Sequence, residues 1–387
     1  MRVLLVHNEY RSSMPSGENM VVAAERDALL NAGVVVEAFV RSSDEIGMMS
    51  ILDKVRAASS PITGSSSSAQ IAMTLDRFKP DVVHLHNPYP LISPRVIDTA
   101  ADRGIPTVVT IHNFRLQCLN GLFYRDSHVC TDCEGKRFPT SGVRHSCYRG
   151  SLSQSALMAT AIELHRKRWS RADRFIAVSE FVAARLRSWG VDERRVVVKP
   201  NPVSDPGAIT PPGRGILFAG RLSEEKGILL LLDAWARSGL DGVEDLLIAG
   251  DGPLRALVQR RVEGMRSVTL LGVVDADRIQ QLRARTAAGV TCSLWFEAHP
   301  AVAESFAHGR PVVATNVGAL GTIVDESVGW SVAPTVEGLA AGLIAACNPT
   351  HATDRGAAAR SRYEREYRPD VVTARQIEIY ESVTAPR

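Results

Sequence analysis

GVTCSLWFEAHPAVAESFAHGRPVVAT, residues 289–315, reads as a strand, a loop, a short helix and a second strand. Gly289 to Leu294 is strand-like, Pro300 suits the first position of a helix, and Val312, Val313 and Ala314 resume an apolar strand. Two glutamates punctuate this unit. Glu297 falls on the loop at the C-terminal end of the strand, and Glu304 falls near the start of the helix. Open parallel sheets bind ligands at those ends, and a helix N-terminus offers free N–H groups and a positive dipole to a diphosphate. A carboxylate beside it accepts hydrogen bonds from ribose or hexose hydroxyls. The stretch therefore predicts a sugar-nucleotide cradle within an α/β fold.

Working outward, the same alternation recurs. Residues 2–7 form an apolar run, 8–17 a polar loop, Val21 to Ala32 a helix, and Val34 to Val40 a strand after Gly33. Strands are predicted at Asp81 to His86, Thr107 to His112, Arg174 to Val178 and Arg194 to Lys199, with helices at Pro94 to Arg103, Ser153 to Ser170 and Glu180 to Gly190. Beyond a stretch dense in Pro and Gly (200–213), a second series begins with strand Gly215 to Gly220, helix Ile228 to Ser238 and strand Asp245 to Ala249. The fold class expected is α/β, with two Rossmann-like, doubly wound domains facing a cleft. We place an N-terminal domain at 1–200, a C-terminal domain at 201–365, and a helix at 366–387 that packs back on the N-terminal domain. Two stretches break the pattern. Ala57 to Ala69, rich in Ser and Gly, reads as a surface loop, and 113–150 as an inserted, Cys-rich loop region.

A chain of 387 residues, 45% hydrophobic, is long enough for about two domains with substantial cores. Its net charge of +3 argues for no polyanion, so nucleic acid is not an expected partner. No apolar run approaches the roughly 20 residues that cross a bilayer, and the N-terminus lacks a signal-peptide pattern, so a cytoplasmic protein is expected. Cys118, Cys130, Cys133 and Cys147 share one segment, whereas Cys292 and Cys347 lie alone in apolar surroundings. A C-x-x-C flanked by two further cysteines has the spacing of a four-thiolate structural zinc site, with His128 and His145 as spare ligands. Reduced thiols or a disulfide pair are the competing readings.

In FAGRLSEEKG (218–227), Arg221 and Lys226 lie on a strand-to-helix loop between Gly220 and Gly227. A guanidinium fork and an ammonium together suit a diphosphate whose negative charge grows as it departs. Asp275-Ala276-Asp277 has the D-x-D wording of a metal site, but it precedes a helical pattern and reads as an acidic helix start. No catalytic metal is expected. His165 to Arg171 is basic and carries Trp169; a solvated helix face competes there with a peripheral membrane contact.

These motifs together, with AGDGP (249–253), resemble the retaining glycosyltransferases of family 4, which have the GT-B fold. The likeness extends to PSGE (15–18), HLHN (84–87), TIHN (110–113) and VSE (178–180), and so covers nearly the whole chain. It implies that Arg221 and Lys226 bind the donor diphosphate beside Gly220, Glu297 contacts the transferred sugar, and Glu304 takes the nucleoside ribose. Backbone amides from His299, Pro300, Ala301 and Val302 would cover phosphate and sugar. Gly17 matches a glycine loop approaching the donor, and His112 a histidine near the anomeric carbon. His86 and Asn87 would face the acceptor, while His84, taken to lie on the opposite side of its strand, is assigned to the core.

The implied reaction moves a hexose, with retention, from a UDP- or GDP-linked donor to a small-molecule, lipid-linked or glycan acceptor. A non-catalytic nucleotide-sugar-binding scaffold and a nucleotide-sugar epimerase are the alternatives. One departure stands out. The family places seven residues between the two glutamates, and this chain has six, Ala298 to Ala303. Loss within the helix would rotate Glu304 by roughly 100° relative to Glu297. Pro300 places the loss in the loop instead, which leaves Glu304 on the ribose and shifts Glu297 and His299 around the sugar.

Overall fold

The computed structural model describes residues 1–12, 16–50, 59–295 and 300–385. The chain divides into two compact units. The first comprises Met1–Phe123, Cys130–Pro202 and Asp370–Arg387; the second comprises Tyr124–Val129 and Val203–Pro369.

The first unit is built on a six-stranded parallel sheet: β1 (Arg2–Glu9), β2 (Val35–Ser42), β3 (Val82–Leu85), β4 (Thr107–Ile111), β7 (Arg174–Ala177) and β8 (Val196–Val198). A two-residue hairpin, β5 (Tyr124–Arg125) and β6 (His128–Val129), interrupts the count. The order is β2-β1-β3-β4-β7-β8. Val3, Leu4, Leu5 and Val6 of β1 are all essentially inaccessible, which explains why this strand reads as a continuous apolar run. The register sets Leu5 beside His84 and Val6 beside Leu85.

The second unit repeats the scheme with β9 (Ile216–Ala219), β10 (Leu246–Ala249), β11 (Val268–Gly272), β12 (Ala288–Thr291), β13 (Val312–Thr315) and β14 (Gly329–Val332), all parallel. Its order, β11-β10-β9-β12-β13-β14, is that of a dinucleotide-binding sheet. Helix Ile228–Ser238 follows β9 and has the bounds its pattern predicts. It sinks Ile228, Leu231, Leu232 and Trp235 into the core, each contributing about 1.5–3 kcal/mol of burial. The strand expected at 289–294 is shorter, and helix Pro300–Ala307 does open on its proline.

One expectation is corrected. Residues 59–69 are not loop: 59–63 are helical, and helix Ser65–Phe78 begins within the serine run. Its Ile71 and Leu75 are buried, and Ser67 Oγ donates to the Leu91 carbonyl at 2.6 Å, so tertiary burial overrides a composition that favours coil. Residues 51–58, which include the start of that predicted loop, lie outside the described residues. The C-terminal segment is two helices, Pro349–Glu366 and Pro369–Thr384, because Pro369 cannot continue the first. The second of them belongs to the first unit, where Ile379 and Tyr380 join the cluster around Val3 and Leu5.

Candidate active site

In the first sheet the strand order reverses at β1, whose neighbours are β2 and β3. Ligands in open sheets bind outside the carboxyl ends at such a switch point. There the chain places His86 and Asn87 after β3, His112 and Asn113 after β4, and Glu18 at the start of helix Gly17–Asn31. These residues line one pocket with Tyr89, Arg115 and Trp169. Gly17, the first residue of that helix, is exposed with open space around it.

His86 and His112 stack, with centroids 5.3 Å apart, and His86 Nδ1 lies 3.0 Å from His112 Nε2. Behind them sits a buried ionic cluster that the sequence did not announce. Glu25, from the first helix, pairs with Lys199, which follows β8, at 3.0 Å, and both are almost fully inaccessible. Glu25 also lies 3.0 Å from His84 Nδ1 and 3.4 Å from His86 Nε2. Burial alone would raise the Glu25 carboxyl, but Lys199 and the two imidazoles hold it well below its usual range. Burial and neighbouring His84 push His86 down to about 4, and burial with His86 drives His112 well below its ordinary value. Both rings are therefore neutral at pH 7. His86 Nε2 and Glu25 Oε1 face each other without a hydrogen bond, whereas His86 Nδ1 and His112 Nε2 share one.

His84 is in the core, held by Thr110 Oγ1 at 2.7 Å and Tyr380 Oη at 2.8 Å. It does not lie opposite His86. The rings share one face with centroids 4.2 Å apart, because side chains two residues apart in a strand point the same way. Asn87 is occupied within the fold: its Nδ2 donates to the Asn8 carbonyl at 3.0 Å and its Oδ1 accepts from Tyr89 N–H at 3.1 Å. It shapes the turn more than it faces a ligand. Glu18 holds the opposite wall. One carboxylate oxygen accepts from Tyr10 Oη at 3.2 Å and Asn113 Nδ2 at 3.3 Å, while the other is buried without a partner. Burial raises its carboxyl, and Arg115 opposes that shift. Glu18 was legible only as part of PSGE, and Arg115 not at all.

In the second unit the switch point lies between β9 and β12, and the two predicted loops leave the sheet there. Leu294 N–H donates to the Glu225 carbonyl at 2.8 Å, and Cys292 Sγ to that of Lys226 at 3.2 Å, so the loops run side by side. Gly227 has φ of 67°, and a Cβ there would meet the Cys292 carbonyl at 2.0 Å. Gly250 closes the other side: its φ is 141° and a Cβ would stand 1.9 Å from the Gly220 carbonyl. Arg221 is exposed, and Lys226 lies 5.7 Å from the Trp295 ring centroid. Glu304 sits in the second turn of its helix, paired with buried Arg283 of helix Ala276–Arg285. Ahead of it, Ala301 and Val302 belong to the first turn, whose amides have no partner within the helix. Phe296, Glu297, Ala298 and His299 lie outside the described residues, as does Pro15.

The D-x-D wording resolves as a helix cap. Asp275 accepts from Arg278 N–H at 2.7 Å. The basic stretch is largely paired: Arg168 and Arg171 bind Asp98, Arg171 also reaches Asp102, and His165 is buried. A roomier recess, between Arg171–Arg174, Arg195 and Ser382, opens at the amino end of β7, away from the ligand-binding edge. Among the described residues, no helix is long and apolar enough to cross a membrane.

Comparison with known proteins agrees with this fold. Residues 213–348 match the family model described as glycosyl transferases group 1, and residues 16–202 match a glycosyl transferase 4-like domain. No curated protein sequence matches the chain. Among solved structures, a glycosyltransferase from Rickettsia africae superposes with a TM-score of 0.67 at 17% identity, covering 100% of this chain and 99% of that one. Sucrose-phosphate synthase from Thermosynechococcus elongatus gives 0.70 at 18%, with 99% and 98% covered. Anabaena Alr3699/HepE, solved in complex with UDP, gives 0.67 at 16%, with 99% and 100% covered.

Proposed function

This chain is a GT-B glycosyltransferase of group 1, and from that premise we propose that it transfers a hexose, with retention, from a nucleoside-diphosphate sugar to an acceptor hydroxyl. The observation that carries the reading is the pair of adjoining loops at the switch point of the second sheet, one bearing Arg221 and Lys226 and the other preceding helix Pro300–Ala307 in the chain. A strand order of this kind, exposed cations and a helix N-terminus make an anion site suited to a diphosphate. HepE has been solved with UDP and with UDP-glucose, which makes UDP-glucose the first donor to test and a GDP-linked hexose the second.

In this mechanism Arg221 and Lys226 neutralise the departing diphosphate, and no catalytic metal is required of the chain. The bond between the anomeric carbon and the phosphate oxygen breaks as the acceptor oxygen bonds the same face. The acceptor proton passes to the departing phosphate oxygen. Glu304 accepts from the ribose hydroxyls through the part of its carboxylate that Arg283 leaves available. Glu297 and His299 contact the sugar. In the first unit, His112 offers a ring nitrogen to a hydroxyl, and the unpartnered Glu18 oxygen with Arg115 grips the acceptor. Positioning supplies most of the acceleration.

The test is acceptor-dependent release of nucleoside diphosphate, with the product anomer read by NMR. Transfer predicts a new glycosidic bond of the donor's configuration. Donor binding without turnover across a broad acceptor panel would leave only a scaffold, and a product with no new glycosidic bond would make the protein an epimerase.

A further inference from the structure

On the reading that Glu304 takes the donor ribose, we propose that Arg283 is the positioning residue of the donor site: its guanidinium holds one oxygen of the Glu304 carboxylate and so presents the other to the ribose hydroxyls of a nucleoside diphosphate.

Two helices of the second unit deliver the pair. Glu304 stands on helix Pro300–Ala307, between β12 and β13, and Arg283 lies in the last turn of helix Ala276–Arg285, which precedes β12. Leu282 and Arg283 are the buried residues of that helix, so an arginine occupies an inward position where a surface helix ordinarily places an apolar side chain. Its side chain is only 5% exposed, and a cation so enclosed is costly unless paired. Glu304 supplies the pairing, with Oε2 accepting from Arg283 Nη2. Burial pushes the Arg283 guanidinium down, and Glu304 opposes that shift. The main chain of the arginine is pinned as well. Its carbonyl accepts from Arg310 Nε at 3.0 Å and from Thr286 Oγ1 at 3.3 Å, and Arg310 is itself buried.

The carboxylate is engaged on one side only. Among the described residues Glu304 makes no other hydrogen bond, and its side chain is 33% exposed. A glutamate without a fixed neighbour would lose rotamer freedom on meeting a ligand. Held by Arg283, it has met that cost in folding, and pre-organisation of this kind raises affinity without a new contact. A carboxylate oxygen only accepts, so it selects groups that donate: ribose hydroxyls qualify and the corresponding deoxy carbons do not. Arg283 is thereby a determinant of ribose over deoxyribose. The four cysteines expected to bind zinc show no comparable construction, since no three of their sulfurs lie within 4.8 Å of one another and Cys118 Sγ donates to Asn120 Oδ1 at 3.0 Å.

The test is calorimetric titration of the full-length chain with UDP, or with GDP should UDP not bind, against the matching 2′,3′-dideoxynucleotide. Wild type should bind the ribonucleotide roughly 10–100-fold more tightly, the range expected for hydrogen bonds to a charged group. Arg283→Met should lose most of that preference by weakening the ribonucleotide alone. An unchanged affinity for the dideoxynucleotide shows base and phosphate contacts intact, which a collapsed site would not leave. Arg283→Lys should recover part of the preference. In turnover with the matching sugar donor, KM should rise by a similar factor while kcat stays within about twofold. Where Arg283→Met fails to fold, the double variant Arg283→Met/Glu304→Ala is compared with Glu304→Ala, since removing both members of a buried pair leaves no orphaned charge. Equal ribonucleotide affinity is expected, because a residue that acts through Glu304 has nothing left to position. Full ribose preference in Arg283→Met, or a further loss in the double variant, overturns the role of Arg283 and leaves the donor reading standing. A wild type that binds ribonucleotide and dideoxynucleotide equally overturns the ribose role of Glu304 as well, and one that binds neither UDP nor GDP removes the proposed donor chemistry.

Discussion

The two sheets place their binding edges at equivalent switch points but build them from opposite materials. In the first unit the edge is made of titratable side chains, buried Glu25, Lys199 and His86 with half-buried His112, whose charges are balanced internally. In the second it is made of loop backbone and accessible cations, with Gly227 and Gly250 permitting carbonyl approaches that a side chain would block. The first arrangement links site geometry to stability. The second allows the site to change with little effect on the fold.

The sharpest break should come at Lys199. Lys199→Met leaves Glu25 buried without its cation and should cost about 3–5 kcal/mol in denaturant unfolding. A loss under about 1 kcal/mol would show that the pair is not buried as described. At the other edge, Arg221→Ala should lower turnover by roughly 10²–10³-fold, as expected for a missing donor to developing charge, with an unchanged unfolding midpoint. Equal turnover would remove Arg221 from the donor site.

Acid separates the two edges by a smaller amount. His7 and His86 have folded values near 4 against 6.5 in the unfolded chain, so the unfolded state binds more protons between those values. Stability therefore falls as pH drops from 6.5 toward 4, by order 2–3 kcal/mol per histidine. Loss of Glu25's depressed carboxyl adds to this only at still lower pH, as the pH falls through its folded value. His86→Gln should flatten the pH 4–6.5 portion, measured by urea unfolding at a series of pH values. The smallest effect belongs to the glycine loop: Gly250→Ala should cost about 1–3 kcal/mol through overpacking against Gly220 and weaken nucleotide binding.

Much of this was legible from residues alone. The helix at Ile228–Ser238 is bounded by left-handed Gly227 and Gly239 and carries an apolar stripe, so local rules suffice. The cradle loops were legible for a similar reason, since glycines and cations at a strand end state their geometry locally. Helix Ser65–Phe78 was not, because its serine-rich start is stabilised by Leu91 and Arg41 from other elements.

The sequence by itself determined the alternation of strands and helices, the parallel α/β class, the loops bearing Arg221, Lys226, His86 and His112, and the helix bearing Glu304. Only the tertiary structure decided which charges meet. Glu25 and Lys199 are 174 positions apart, and Arg283 and Glu304 lie on separate helices. Periodicity reports which face a residue occupies, whereas a buried ion pair depends on how distant elements pack, and no local pattern encodes that.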